Sequence, residues 1–558
     1  MRTNKTSQRD CLRSFFIIFA ALAAGKAWCA DNPNTTNPLL DLFVKKGYVT
    51  QQEAEQVESE AQAMQTNGAA YPMPAPSKWK ITDGIKGVQL YGDLRFRFEE
   101  RNVSDPADNQ INLQRIRYAL RFGLRGDAFD DFYYGLRFET AANPRSPWVT
   151  LGQSANNSPY QGPFGKSTDT LGIGQVYIGW HPADWMDVTI GKMPNLLYTT
   201  PMVWDSDINP EGIVERFKYT VGQADFFANL GQFIYADFNP YNASPGLGIN
   251  FGTAGAGQDN ENIFMFAWQG GFNYHITPTM SAKIGATIYN YTGLKPSAGG
   301  GNTATSPYFG DTYVGEGAFF YEGGPGHNFA PGFAGYSPGT QFNNFNPPGD
   351  SSLSYPFNQV GLNDLLVLEF PFEFNFKINN AVAARLFGDF AYNLDGAQRA
   401  EAASSAYSAI LAANVAPFGN GTAVAHSFPA QTQDVKAYQI GIGFGSDDMV
   451  YGPTEGLVYG TSIHKYDWEV RTYWQHIEQY ALDPNLVDSD FFEGRENLEG
   501  IYAAVAFALS DNFILTVRYG YAHRINDLIG TGGDNQDVPQ INPINHYYLL
   551  QADATLKF

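Results

Sequence analysis

Cysteine is almost absent from this 558-residue chain. Cys11 and Cys29 are the only two, and both fall within the first 30 residues. No disulfide framework is available to the remainder of the chain. Charge is also scarce, at 16% of residues, and basic residues are outnumbered, with 35 Lys and Arg against 56 Asp and Glu. The net charge of −21 argues against nucleic-acid partners. Long apolar runs are missing as well. Beyond the N-terminus none reaches the ~20 residues that a spanning helix needs. The nearest, Ile501 to Val517, is cut into strand-length pieces by Ser510-Asp511-Asn512. With a mean hydropathy of −0.29, a helical membrane protein is excluded. The eight histidines stand in no metal-ligand spacing and near no Gly-x-Ser-x-Gly elbow. The expectation is therefore no enzyme, no metal and no cofactor.

Aromatic residues, by contrast, are 15% of the chain, and 58 residues are glycine. That mixture suits many strands, glycine-rich turns and aromatic girdles. The N-terminus carries Arg2, Lys5, Arg9 and Arg13, then the apolar stretch Phe15 to Ala24, then small residues. This reads as a secretory signal peptide over residues 1–30. Cleavage after Ala30 leaves no cysteine and cleavage after Ala27 leaves one. Lys26-Ala27-Trp28 is a poor lipobox for Cys29. With five basic residues and one acidic residue removed, the mature chain is near −25.

Residues 37–67 read as a periplasmic helical segment. Pro38 to Gly47 has the pattern of a short amphipathic helix. Thr50-Gln51-Gln52-Glu53 has capping-box spacing and opens a mostly polar helix, Gln51 to Gln65. A Pro-rich linker spans 68–84. From Ile85 to Phe558 the hydrophobic period becomes two. Leu94, Phe96 and Phe98 alternate with Arg95, Arg97 and Glu99. Ile116, Tyr118 and Leu120 alternate with Arg115, Arg117 and Arg121. The last strand runs from Tyr548 to Phe558 with an unbroken apolar face at even positions.

About sixteen such segments are expected, within a range of 14–18. Their connections alternate long and short, and one connection, Gly445 to Gly460, breaks the rule by being long where a short turn is due. The fold expected is an all-β transmembrane antiparallel β-barrel, since a closed barrel is the only sheet that satisfies every backbone group in hydrocarbon. With an apolar outer face the inner face is polar, and a polar interior means water and a channel.

The closing strand, ending on Phe558, resembles the last strand of bacterial outer-membrane barrels, whose terminal Phe is read by the barrel-assembly machinery. More broadly, the chain resembles the bacterial outer-membrane porin family. The resemblance rests on Leu39 to Gly47 with Thr50 to Ala54, on Gly191-Lys192-Met193-Pro194-Asn195, on Trp204 to Gly212, and on Val487-Asp488-Ser489-Asp490-Phe491. The last departs from the family at Phe492-Glu493-Gly494, where more glycine is expected. The resemblance implies an outer-membrane channel and identifies no substrate.

Three groups are candidates for function. Arg95, Arg97, Arg115, Arg117, Arg121, Arg125 and Arg137 share the inward parity of three consecutive strands. They read either as a pore-lining basic wall that orients anions or as a structural set paired with Asp93, Glu99 and Glu139. Asp205, Asp207 and Glu211 lie in the segment Met193 to Gly212. That segment reads either as a constriction loop facing the basic wall or as an ordinary surface loop. The sequences Asp205-Ser206-Asp207 and Asp488-Ser489-Asp490 cluster carboxylates that can bind calcium. Neither follows an EF-hand pattern, and solvated turns are the commoner use.

The primary expectation is a porin for small hydrophilic solutes and ions, in outer-membrane lipid, with both termini periplasmic and a homotrimeric assembly by analogy. The alternative is a scaffold or tethering barrel whose N-terminal helices bind peptidoglycan or another periplasmic partner.

Overall fold

The structure is a computed structural model. It describes Ile85 and residues 87–104, 110–129, 131–141, 146–152, 170–237, 262–292, 365–398, 400, 433–446, 463–526, 537–538 and 544–558. The signal segment, the helical segment 37–67 and the linker 68–84 lie outside the described residues.

Sixteen strands form one closed antiparallel barrel. The first six are β1 Gln89–Ser104, β2 Gln110–Asp127, β3 Phe132–Ala141, β4 Thr170–Ala183, β5 Met186–Lys192 and β6 Glu211–Val221. Next come β7 Ala224–Asp237, β8 Asn262–Thr277 and β9 Met280–Thr292. The strand β10 comprises Leu366–Glu369 and Phe372–Asn379, and β11 is Val382–Asn393. The remainder are β12 Lys436–Gly445, β13 Trp468–Ile477, β14 Leu498–Ser510, β15 Phe513–Arg524 and β16 His546–Lys557. Every strand pairs with its sequence neighbours. Closure comes from β1 against β16, from Asp93 opposite Lys557 to Ser104 opposite His546. No sheet edge is left to the lipid where these two strands meet.

Two details go beyond the period-two pattern. The segment between Ala141 and Thr170 is not loop throughout, because Val149–Thr150 returns to the wall and pairs with Arg117 and Tyr118 of β2, extending β3. Within β10, Phe370-Pro371 interrupts the ladder. Proline has no N–H to donate, yet the Pro371 carbonyl still accepts from Gly285 N at 2.9 Å, so β9 holds across the break.

The pleat sorts the side chains. Outward positions carry exposed apolar residues such as Ile178 (55%), Val505 (51%) and Trp268 (46%). In water this band would be a severe hydrophobic liability; against hydrocarbon it is the barrel's solvation layer. Inward positions on β1 are Asp93, Arg95, Arg97, Glu99 and Arg101, all buried. Connections at one end are short, as at Asp184-Trp185, Gly222-Gln223 and Asp511-Asn512, while those at the other are long. The exception foreseen between β12 and β13 is real: residues 446–467 separate these strands at the short-turn end.

At the C-terminus, Phe558 N donates to Gly92 O at 3.0 Å and Gly92 N donates to Phe558 O at 2.8 Å. The Phe558 ring lies across Gly92, where a Cβ would come within 2.6 Å of it. The bare backbone at Gly92 thus makes a seat for the terminal ring, which shares its outward parity with Leu556.

Candidate functional site: two inward segments on a charged wall

The long connections after β5 and β13 do not stay outside the barrel. They turn inward and pack together as its core. Gly191 and Gly212, which face each other across β5 and β6, flank the first. Both have positive φ, 126° and 156°, and a Cβ at either would strike backbone at 2.3 and 2.1 Å. Only glycine lets the chain leave the wall here. From this point residues 193–210 bring in Met193, Met202 and Trp204, all buried. Trp204 stands edge-on to Phe233 of β7 and donates from Nε1 to Ile208 O at 3.1 Å.

The second inward segment, residues 478–497, brings Leu486, Phe491 and Phe492 into the same apolar cluster as Phe387, Tyr473 and Tyr502 on the wall. The two segments touch directly. Asp205 N donates to Leu486 O at 2.5 Å, and Asp488 N donates to Pro201 O at 3.1 Å. Asp205 Oδ2 accepts from Ser489 N and Ser489 Oγ at 3.2 and 3.0 Å.

The arginines of β1 and β2 hold this assembly. Arg97 is 2% exposed. Its Nε and Nη2 make a fork onto Asp553 of β16 at 2.8 and 2.9 Å, and its Nη1 donates to Asp490 at 2.8 Å. Arg518 of β15 bonds to the same Asp553. Arg101 is 0% exposed. It meets Glu99 at 3.1 Å, Asp537 at 3.0 Å, Tyr547 OH at 3.0 Å, Ser489 O at 3.1 Å and the Glu493 carboxylate. Arg115 and Arg117 reach Glu99 and Asp537. Arg121 bonds to Asp207, and Arg137 donates to Glu139 and Asn209 at 3.0 and 3.4 Å. Arg125 differs: it is exposed, over the Tyr91 ring at 4.9 Å. Trp148, from the return segment of β3, lies 4.1 Å from the Arg97 guanidinium and 5.2 Å from that of Arg95.

The seven arginines read from sequence therefore share one inner wall, but they meet more than the three acids of their own strands. Asp207, Asp490, Asp537 and Asp553 supply the rest. Of these, Asp490 comes from the inward segment 478–497, as does Glu493, the partner of Arg101. Burial would raise the Asp207 carboxyl, but Arg121, with Arg95 and Arg97, holds it below the usual carboxylate range. Asp537 is treated likewise by Arg117, Arg101 and Arg115 and is brought down to about 2, against the opposing effect of burial. Both stay ionised at neutral pH, as charge-assisted bonds to guanidinium favour.

Glu211 must be placed differently from Asp205 and Asp207. It is the first residue of β6, is exposed, and pairs with Lys192 at 3.1 Å. The chain has already returned to the wall by then, so Glu211 is not part of the inward turn. The two D-S-D sequences are closed turns. Asp205 Oδ1 accepts from Asp207 N at 2.9 Å, and Asp488 accepts from Asp490 N and Phe491 N at 3.1 and 3.3 Å. Their carboxylates are engaged by guanidinium, hydroxyl and N–H donors, which leaves a poor donor set for calcium.

Sequence reasoning missed Arg101, although it continues the parity of Arg95 and Arg97. It also missed Glu493. The absent glycine noted after D-S-D-F was the available signal. Phe492 and Glu493 both adopt positive φ, 68° and 62°, a conformation that costs a non-glycine residue roughly 1 kcal/mol or more. The Phe492 ring fills the core, and Glu493 Oε2 accepts from Asp537 N and Val538 N at 2.8 and 2.9 Å. Glycine could supply neither.

A search among solved structures returns outer-membrane barrels. They include the outer membrane channel DcaP of Acinetobacter baumannii (9% identity, 86% of this chain and 100% of that one, TM-score 0.35) and Pseudomonas putida OprB (11%, 85% and 94%, 0.41). OmpT of Vibrio cholerae also matches (8%, 86% and 100%, 0.35). No curated protein matches. The family model described as "Putative porin" matches residues 100–532, which is most of the barrel and both inward segments. The chain thus belongs to the putative porin family and is an outer-membrane β-barrel channel.

Proposed function

We propose that this barrel is a porin that lets small hydrophilic solutes and ions cross the outer membrane down their gradient. The observation that carries the reading is the division of the inner face. The wall under the inward segments is buried and charge-paired, whereas inward groups nearer the short-turn end stay partly open to water. Arg125 is exposed, Arg216 and His181 keep 37% and 56% of their side-chain surface exposed, and Lys283 lies 3.8 Å from the Tyr198 ring. Polar, half-hydrated side chains of both signs suit water and passing ions. In this reading residues 193–210 and 478–497 form the constriction, and Arg95, Arg97, Arg101, Arg117 and Arg121 act mainly as its clamp. Of the seven arginines, Arg125 is exposed and Arg115 and Arg137 are only partly buried, so these three are the ones left to face the path, and Asp207 is the acid set against them. A homotrimer is the assembly proposed.

Planar-bilayer recording tests the function: the purified barrel should give stepwise ohmic currents. Silence in bilayers, with the folded barrel verified by its gel mobility, would overturn the proposal.

Phe558 is proposed as the assembly signal. Phe558→Ala should lower the amount of folded barrel recovered from outer membranes several-fold, because the seat on Gly92 loses its ring although the two backbone bonds remain. Channels that do assemble should conduct as before. A normal yield would remove Phe558 from that role.

A further inference from the structure

Glu369 of β10 and Asp389 of β11 are buried acids. They are 0% and 1% exposed. They share the inward face of neighbouring strands, Glu369 being registered against Ala391, two residues from Asp389 on the same face. Hydroxyls surround them. Thr199 donates to Glu369 Oε1 at 2.5 Å, Tyr289 to Oε2 at 2.7 Å, and Thr200 to Asp389 Oδ2 at 2.5 Å. Among the described residues no lysine, arginine or histidine pairs with either acid. Two carboxylates about 4 Å apart repel by about 4 kcal/mol even at an effective dielectric constant of about 20, so the site needs a positive partner.

Two residues indicate which partner. Asp389 Oδ1 has no hydrogen-bond partner, and Gln439, directly opposite Asp389 on β12, is 2% exposed with neither Oε1 nor Nε2 bonded. A buried polar atom left so requires an explanation, of which a bound ion is one. A proton shared by the two acids would leave Gln439 Oε1 without a partner. A cation held by Asp389 Oδ1 and Gln439 Oε1 together would satisfy both oxygens.

We propose that Glu369, Asp389 and Gln439 bind a hard divalent cation of the calcium class, with the Thr199 and Thr200 hydroxyls completing the shell. The donors are all oxygen: two carboxylates, an amide carbonyl and hydroxyls. Calcium accepts such an irregular set, magnesium demands a stricter octahedron and keeps its waters, and zinc favours nitrogen or sulfur. Because Thr199 and Thr200 belong to the first inward segment, the ion would tie that segment to β10 and β11. Asp207 ties the same segment to β2 through Arg121.

Terbium reports such a site, because a tyrosine in contact with the ion sensitises its emission, and Tyr289 already bonds to Glu369. The test uses the full barrel folded in detergent and stripped with EGTA. Exciting tyrosine during a terbium titration should give saturable emission that calcium displaces. The Glu369→Gln/Asp389→Asn double variant and Gln439→Leu should each weaken terbium binding about ten-fold or more, and Asp511→Asn at a distant turn should not. If the double variant fails to fold, Gln439→Leu and Thr200→Val decide. Emission absent from the parent barrel, insensitive to calcium, or unchanged in every site variant would overturn the proposal and leave the acids sharing a proton.

Discussion

Replacing Arg101 with methionine should destabilise the folded barrel by roughly 3–5 kcal/mol, the cost of removing one partner from a buried charge network. Methionine keeps much of the apolar stem and removes the guanidinium. What stays behind decides the size of the effect. Glu99 keeps Arg115 and Arg117, so its charge remains compensated. Glu493 keeps only the N–H groups of Asp537 and Val538, while its side chain is 0% exposed. Its backbone is also held at positive φ, so the strain that the Arg101 contact offsets is released toward unfolding. The cost should therefore appear at the inward segment 478–497 before it appears in the wall. Denaturant unfolding in detergent reads the stability, and bilayer recording reads the segment, as noisier traces with sublevels. The double variant Arg101→Met/Glu493→Gln removes both charges and should recover a large part of the loss. An Arg101→Met barrel as stable and as quiet as the parent would show that the network holds nothing in place.

What could be read from the sequence here was local. Alternation along β1, β2 and β16 gave the outward and inward faces, and the regular turn lengths gave the topology. Those follow from a period of two and from backbone satisfaction in lipid. What could not be read was which distant residue meets which. Arg97 and Asp553 are 456 positions apart and become neighbours only when β16 closes on β1. No local pattern gives that register. For the same reason seven arginines seemed to face only three acids: the missing anions come from β16 and from loops whose inward course depends on Gly191, Gly212 and the core they enter. Short interruptions were also hidden. Val149–Thr150 is too short to show a period, and Phe370-Pro371 reads as uninterrupted alternation although its ladder is broken.

Neutralising Asp207 should shift ion selectivity toward anions. Asp207 is the acid of the first inward segment that faces the basic wall, it stays ionised under the influence of Arg121, and its side chain is 16% exposed. In Asp207→Asn the shape of the turn survives, since Asp207 N still donates to Asp205 Oδ1. The change is thus close to pure charge. Arg121 keeps Glu139 at 3.5 Å as partial compensation, but the pair loses one negative charge. At about 8 Å from a passing ion and an effective dielectric constant of about 40, that charge is worth about 1 kcal/mol to each ion with opposite sign, or about a five-fold rise in anion permeability and about a five-fold fall in cation permeability. Salt should reduce the shift, because the Debye length falls to about 3 Å at 1 M. Asp205→Asn should behave differently. Asp205 is 3% exposed and bonds to Ser489 across the two segments, so its loss should loosen their contact and alter conductance more than selectivity. Reversal potentials under a salt gradient separate the two outcomes. An Asp207→Asn channel whose reversal potential equals the parent's at low salt would place residues 193–210 away from the ion path.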